Sequence, residues 1–278
     1  MYAVRMGLTV RPAESEPQRA EINHFQNLQC LRKQTKKISA NDWGADRMKI
    51  GILGGLTPQA TIEYYKLIIS KYQTEIDSAV FPEMVIESVD VSKVHHLTMG
   101  KKYQQLIQYL SESMNNLMQA GADVILIASN TPHLFYEEIT RNVSVPVISI
   151  LDATYNEVIK SKKNRIGLLG TIPTMQSNLY KKPFINTEIQ IFVPEITEQD
   201  FLQEKIFKQF SRGVFIKEDI MAVENMIHQL KSKYKIKGLI LGCTELPIFL
   251  KQDDWDDIVL FDTTEIHVEN LIRFLKIT

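Results

Sequence analysis

Gly238-Leu-Ile-Leu-Gly-Cys-Thr-Glu-Leu-Pro247 is an apolar run that halts at Cys243. Residues Gly238 to Gly242 read as a buried strand, and Thr244 with Glu245 reads as the start of a helix. In open α/β sheets, ligands bind where the carboxyl end of a strand meets the next helix, so the residue at this break stands where chemistry is done. A thiol there meets amide groups and the positive end of a helix, which together favour its thiolate at neutral pH. The same residue also reads as a small buried hydrophobe, since free cysteine packs well in cores.

The stretch has an echo earlier in the chain. Ile125-Leu-Ile-Ala-Ser-Asn-Thr131 aligns with Leu239-Ile-Leu-Gly-Cys-Thr-Glu245 and sets Ser129 opposite Cys243. Lys49-Ile-Gly-Ile-Leu-Gly54 aligns in turn with Arg165-Ile-Gly-Leu-Leu-Gly170. The offsets of these two pairs are 114 and 116 residues, so two separate motifs repeat at nearly one spacing. An internal duplication explains this, and two facing halves would bring Ser129 and Cys243 to one cleft.

The whole-chain bounds are ordinary. Its 278 residues allow one large or two small domains with substantial cores. Lys and Arg number 32 against 33 Asp and Glu, a balance that points to neither nucleic acid nor a membrane surface. Two cysteines, Cys30 and Cys243, make no disulfide framework and suit a reducing, cytoplasmic compartment. No apolar run approaches the ~18 residues of a transmembrane helix.

Residues 1–47 stand apart from the rest. They carry eight Lys or Arg against five Asp or Glu and show no sustained apolar period, so a disordered or loosely helical extension is expected. They have neither an apolar signal region nor the acid-poor composition of a transit peptide. Met48 directly precedes the first strand, which suggests translation starting there; a native N-terminus at Met1 by mass spectrometry would exclude it.

From Met48 the chain alternates strand and helix, the pattern of parallel sheets with helical crossovers. Strands are expected at about 49–54, 84–89, 123–128 and 146–150, then 165–170, 188–193, 238–242 and 258–261. Helical patterns start at Thr57, with Thr57 as cap and Pro58 at the first position, and recur at 103–120, 152–162, 201–210, 217–234 and 264–276. Two doubly wound α/β domains follow, 48–155 and 156–278, each with a four-stranded, mainly parallel sheet and packed together.

Four motifs carry a family resemblance over Met48 to the C-terminus. They are Ile50-Gly-Ile-Leu-Gly-Gly-Leu-Thr-Pro-Gln-Ala-Thr61, Ser129-Asn-Thr-Pro-His133, Leu169-Gly-Thr171 through Thr174 to Tyr180, and Gly242-Cys-Thr-Glu-Leu-Pro247. In order and spacing they closely resemble the aspartate/glutamate racemase family. That resemblance implies two pseudo-symmetric domains with the active site in the cleft, and proton transfer at Cα without pyridoxal phosphate, metal or other cofactor. Such chemistry needs an acid/base group on each face of a planar intermediate, and the family uses two cysteines. Cys243 takes one position. Ser129 takes the other, which is the chain's main departure, because a hydroxyl is a far weaker acid or base unless it works through a bound water or another group.

The resemblance also implies the substrate contacts. Asn130 and Thr131, with the amide of Thr244, would hold the α-carboxylate of an acidic amino acid, and the Thr57–Pro58 loop would close over it. Thr171 stands at the matching helix entrance of the second half. Glu245 either assists the thiol, as a histidine does in glutamate racemases, or complements a helix dipole. Arg212 is either a partner for the side-chain carboxylate or a surface charge. His133 either reaches the cleft or serves structure.

Other features read as structural. His95-His96 lacks accompanying acids or cysteines for a metal and reads as a surface loop. Asp262 and Thr263 read as a cap and His267 as packing. Gly51, Gly54 and Gly55 lack G-x-G-x-x-G spacing, so a nicotinamide cofactor is not expected. Dimers are common in the resembling family, although no stripe here demands one. Two other readings stay open: a single-cysteine lyase resembling arylmalonate decarboxylases, and a non-catalytic protein that binds an acidic amino acid.

Overall fold

The computed structural model describes residues 47–277. Cys30 and the expected N-terminal extension, except Arg47, lie outside those residues. In chain order the first half runs β1 (Ile50–Gly54), α1 (Pro58–Glu75), β2 (Met84–Ser88), α2 (Val91–Met99), α3 (Tyr103–Gln119), β3 (Val124–Ile127), a 3-10 turn (Thr131–Phe135), α4 (Tyr136–Thr140) and β4 (Val147–Ile148). Helix α5 (Ile150–Ser161) leads to β5 (Arg165–Gly170), α6 (Ile172–Gln176), β6 (Gln190–Phe192), α7 (Ile196–Lys208) and a 3-10 turn (Phe210–Arg212). The chain then follows α8 (Lys217–Tyr234), β7 (Gly238–Gly242), α9 (Leu246–Phe249), β8 (Val259–Asp262) and α10 (Thr263–Ile277). The 155/156 division falls inside α5.

The strands form two four-stranded sheets in the orders β2-β1-β3-β4 and β6-β5-β7-β8, and every pairing is parallel. The duplicated motifs therefore occupy the same places, β1 matching β5 and β3 matching β7. Strands β1, β3 and β7 are buried along their whole length, which is why they read as unbroken apolar runs rather than alternating ones.

Three local expectations need correction. Helix α7 starts at Ile196, not Phe201, because Glu195 and Glu198 form a reciprocal capping box there. Residues 91–99 form α2, not a surface loop around His95-His96; Asp90 caps it by accepting from the Ser92 amide at 2.8 Å. Only Leu97 of that helix is buried, so no apolar period announced it. After Cys243 the chain makes a turn, with the Leu246 amide bonded to the Cys243 carbonyl at 3.1 Å, and α9 is a single turn that begins at Leu246.

Gly55 shapes the corresponding turn after β1. Its φ is +74°, and a Cβ there would meet the Val89 carbonyl oxygen at 2.2 Å. The turn delivers Thr57 as cap of α1, accepting from the Ala60 amide, with Pro58 in the first turn as expected. At the chain's end Asp262 caps α10 by accepting from the Thr264 and Glu265 amides. Thr263 is not a cap but a bridge, donating to the Leu241 carbonyl at 2.8 Å.

Helix α10 packs against α1 and α5, and His267 ties it to α1 and to strand β4. Its Nε2 lies 2.7 Å from the Ile148 carbonyl and its Nδ1 2.8 Å from the Tyr64 hydroxyl, so a neutral ring with hydrogen on Nε2 satisfies both. Burial holds His267 at about 4, and burial followed by the charge of His267 holds His133 at about 3. Burial pushes Asp262 the other way, to about 6. As pH falls from the histidines' ordinary 6.5 toward 4, the unfolded chain gains protons on two imidazoles that the folded chain refuses, and stability drops. Asp262 opposes this over 3.8 to 6, since the folded form keeps a proton that the unfolded form releases. Two groups outweigh one, so the urea midpoint should be lower at pH 4.5 than at pH 7. An unchanged or higher midpoint would contradict this account of His133 and His267. Among the described residues no helix is long and apolar enough to cross a membrane.

Candidate active site

Parallel sheets of this order open a crevice at the carboxyl ends of their two central strands. Here those strands are β1 and β3 in one half, β5 and β7 in the other. Thr57, Ser129, Thr171 and Cys243 follow them, and all four line one cavity of about 640 Å³. Asn130, Thr131, Thr244 and Glu245 line it too. The duplication thus does bring Ser129 and Cys243 to a shared space.

Cys243 is buried, and its thiol donates to Glu245 Oε2 at 2.8 Å. The same oxygen accepts from the Thr244 hydroxyl at 3.0 Å, and Oε1 accepts from the Thr57 hydroxyl at 2.5 Å. Glu245 is only 1% exposed, and its two oxygens accept from three donors of the chain itself. Burial, and then the charge of Glu245, push the Cys243 thiol well above its ordinary range; the amides of Glu245 and Thr244 pull it down and lose. The expectation of a resting thiolate is therefore corrected. The helix that would have favoured it is one turn long, and burial, together with the carboxylate beside the sulfur, outweighs it. The resting pair is a thiol with a base in contact.

Ser129 is half buried, and its hydroxyl has no hydrogen-bond partner among the described residues. Its carbonyl accepts from His133 Nδ1 at 2.9 Å, while His133 Nε2 accepts from the Ile150 amide at 3.4 Å. Both ring nitrogens are thus spent on backbone, and His133 is buried outside the cavity lining. It braces the Ser129 turn, the structural one of the two roles expected of it.

Asn130 is tied across the two halves. Its Oδ1 accepts from the Tyr180 hydroxyl at 2.5 Å, and its Nδ2 donates to Thr263 Oγ1 at 3.2 Å. The amide keeps one N–H beyond these bonds. Thr131 Oγ1 lies 3.0 Å from Thr171 Oγ1, which is 2.9 Å from Thr174 Oγ1. The cluster supplies hydroxyls suited to a carboxylate.

Pro58 and Arg212 fall elsewhere. They line a neighbouring cavity of about 920 Å³, which shares Thr57, His95, Gln203 and Phe207 with the first. Arg212 thus lines this neighbouring cavity and not the one that Cys243 lines. His95 packs at a tilt against Phe207, ring centroids 4.5 Å apart, where the two cavities meet. Gln203, Lys101 and Tyr103 also line the smaller cavity, and sequence reasoning missed all three. The Gln203 side-chain Oε1 accepts from the Ile172 amide at 2.6 Å. Among the described residues no group of three His, Cys, Asp or Glu is arranged to share a metal ion.

Comparison with known proteins adds an independent line. A family model described as Asp/Glu/Hydantoin racemase matches residues 53–271. A glutamate racemase of Aquifex pyrophilus is 27% identical over 244 residues, which cover 82% of this chain and 84% of the relative. The crystal structure of an aspartate racemase homologue from Pyrococcus horikoshii superposes with a TM-score of 0.70 at 33% identity, covering 82% of this chain and 99% of that one. An aspartate racemase of Picrophilus torridus shares the fold, with a TM-score of 0.67 at 22% identity and coverage of 82% and 94%.

Proposed function

Because this chain belongs to the Asp/Glu/Hydantoin racemase family, we propose that it interconverts the enantiomers of an acidic amino acid, aspartate or glutamate, by moving a proton at Cα. One observation carries the reading: Ser129 and Cys243 end equivalent central strands and line one cavity, with Glu245 in contact with the thiol. Glu245 takes the thiol proton, the thiolate removes the Cα proton from one face, and a water held by Ser129 protonates the carbanion on the other; exchange with solvent then takes the proton from Glu245 and restores the water at Ser129. The reverse turnover runs the same steps backwards. Asn130, Thr131 and Thr171, with the Thr244 amide, hold the α-carboxylate, and Thr57 couples the β1 loop to Glu245. The scheme uses no cofactor.

A serine hydroxyl is a poor acid or base, so it acts through water, and Ser129 limits the rate. The enantiomers have equal free energy in water, so both directions share one kcat/KM. Ser129→Cys should therefore raise kcat/KM tenfold or more, about equally from the D and L sides, as read by polarimetry. An unchanged rate would mean that protonation on that face is not limiting.

The test of the proposal is Cα hydrogen exchange in D₂O, followed by NMR with L- and D-aspartate and L- and D-glutamate in turn. Exchange with appearance of the opposite enantiomer supports the racemase. Exchange with retained configuration would restrict chemistry to the Cys243 face. Absence of exchange with all four would sink the acidic racemase reading and favour the lyase or the binding protein.

A further inference from the structure

Among the described residues the lining of Cys243's cavity contains one lysine, the largely exposed Lys101, no arginine, and one acid, Glu245. Glu245 is occupied by three donors from the chain itself. An acidic amino acid brings two carboxylates into this space. The Thr131 cluster and Asn130 suit the one at Cα, whereas the distal one needs an opposite charge to offset the water it loses. Resting on the racemase reading, we propose that Lys101 is the specificity-determining residue that holds the distal carboxylate.

The local backbone supports this placement. Lys101 terminates α2 in a left-handed conformation, φ 54°, with its amide bonded to the Thr98 carbonyl at 3.0 Å and the Lys102 amide to the Leu97 carbonyl at 2.8 Å. That is a helix stop in which glycine usually takes the left-handed position. Gly100, one residue earlier, has an ordinary φ of −76°. Lys162 and Lys235 share the left-handed conformation at other helix ends but line no part of this cavity, so conformation alone does not single out Lys101. The cavity does. Lys102 is engaged elsewhere, its Nζ 3.4 Å from His96 Nε2, whereas Lys101 has no acidic partner among the described residues.

The left-handed backbone also makes a clean test available. Lys101→Gly removes the charge at a position where glycine is the less strained residue, so folding should be unharmed. Binding of L-aspartate, L-glutamate, L-asparagine and L-glutamine to the full chain would be measured by calorimetry, alongside Cα exchange kinetics and the thermal midpoint. Lys101→Gly should weaken the two acids roughly ten- to a hundredfold. The amides should change by no more than about twofold, since they carry no charge there to pair. KM should rise more than kcat falls, the midpoint should hold or increase, and Lys101→Arg should restore binding.

Equal losses for acids and amides, unchanged binding of the acids, or a lowered midpoint would each overturn the proposal. So would a wild-type protein that does not prefer the acids to their amides. Lys101-dependent binding without any Cα exchange would instead retain the carboxylate site and overturn the racemase reading alone.

Discussion

Cys243→Ala should lower Cα exchange by roughly 10²–10⁴-fold, the contribution of one positioned acid/base group. The reason lies in the pair that the sulfur forms with Glu245, 2.8 Å away. Without the sulfur, Glu245 would have to reach Cα itself, yet it is buried beneath hydrogen bonds from Thr57 and Thr244. Stability should fall by about 1–3 kcal/mol, because a buried hydrogen bond to a carboxylate and a small volume are lost. Cys243→Ser is the sharper companion. Serine keeps a donor for Glu245 at nearly the same position but replaces the thiol with a much weaker acid. Both variants should be folded and similarly inactive in the NMR exchange assay, and a serine variant within tenfold of wild type would show that the moving proton is not carried by sulfur.

Much of this site was legible because the chain states it twice. Apolar strands that stop at a small polar residue mark the carboxyl end of a central strand, and the repeat alone puts Ser129 and Cys243 in equivalent positions. The cap at Thr57 was equally visible, since Thr-Pro before an apolar pattern has a local cause. What was hidden depends on distance and dielectric. Glu245 follows Cys243 closely in sequence, but only the buried geometry shows a carboxylate opposing the thiolate that the helix amides favour. Helix α2 was missed because a short helix with one buried residue has no period to read, and with it went His95 and Lys101. His133 looked like a cleft residue by position, and only the two backbone bonds to its ring make it a brace.

Glu245→Gln should separate the two effects that the carboxylate exerts on sulfur. The charge of Glu245 raises the thiol's pKa, so its removal should let Cys243 ionise at lower pH than in the wild type. Thiolate absorbance near 240 nm, taken as the difference from Cys243→Ala so that Cys30 cancels, would follow that titration. Turnover should nevertheless fall by roughly 10²–10⁴-fold near neutral pH, because the group that accepts the thiol proton is gone. Glutamine also has one acceptor oxygen where the carboxylate had two, so at least one of Thr57, Thr244 and Cys243 faces an amide N–H2 instead of an acceptor. That mismatch should cost about 1–3 kcal/mol of stability. An easier thiolate combined with slower catalysis is the signature of a general base. If the thiolate forms more readily and activity rises with it, Glu245 restrains Cys243 rather than serving it. If neither property moves, the hydrogen bond from sulfur to Glu245 has no part in the chemistry.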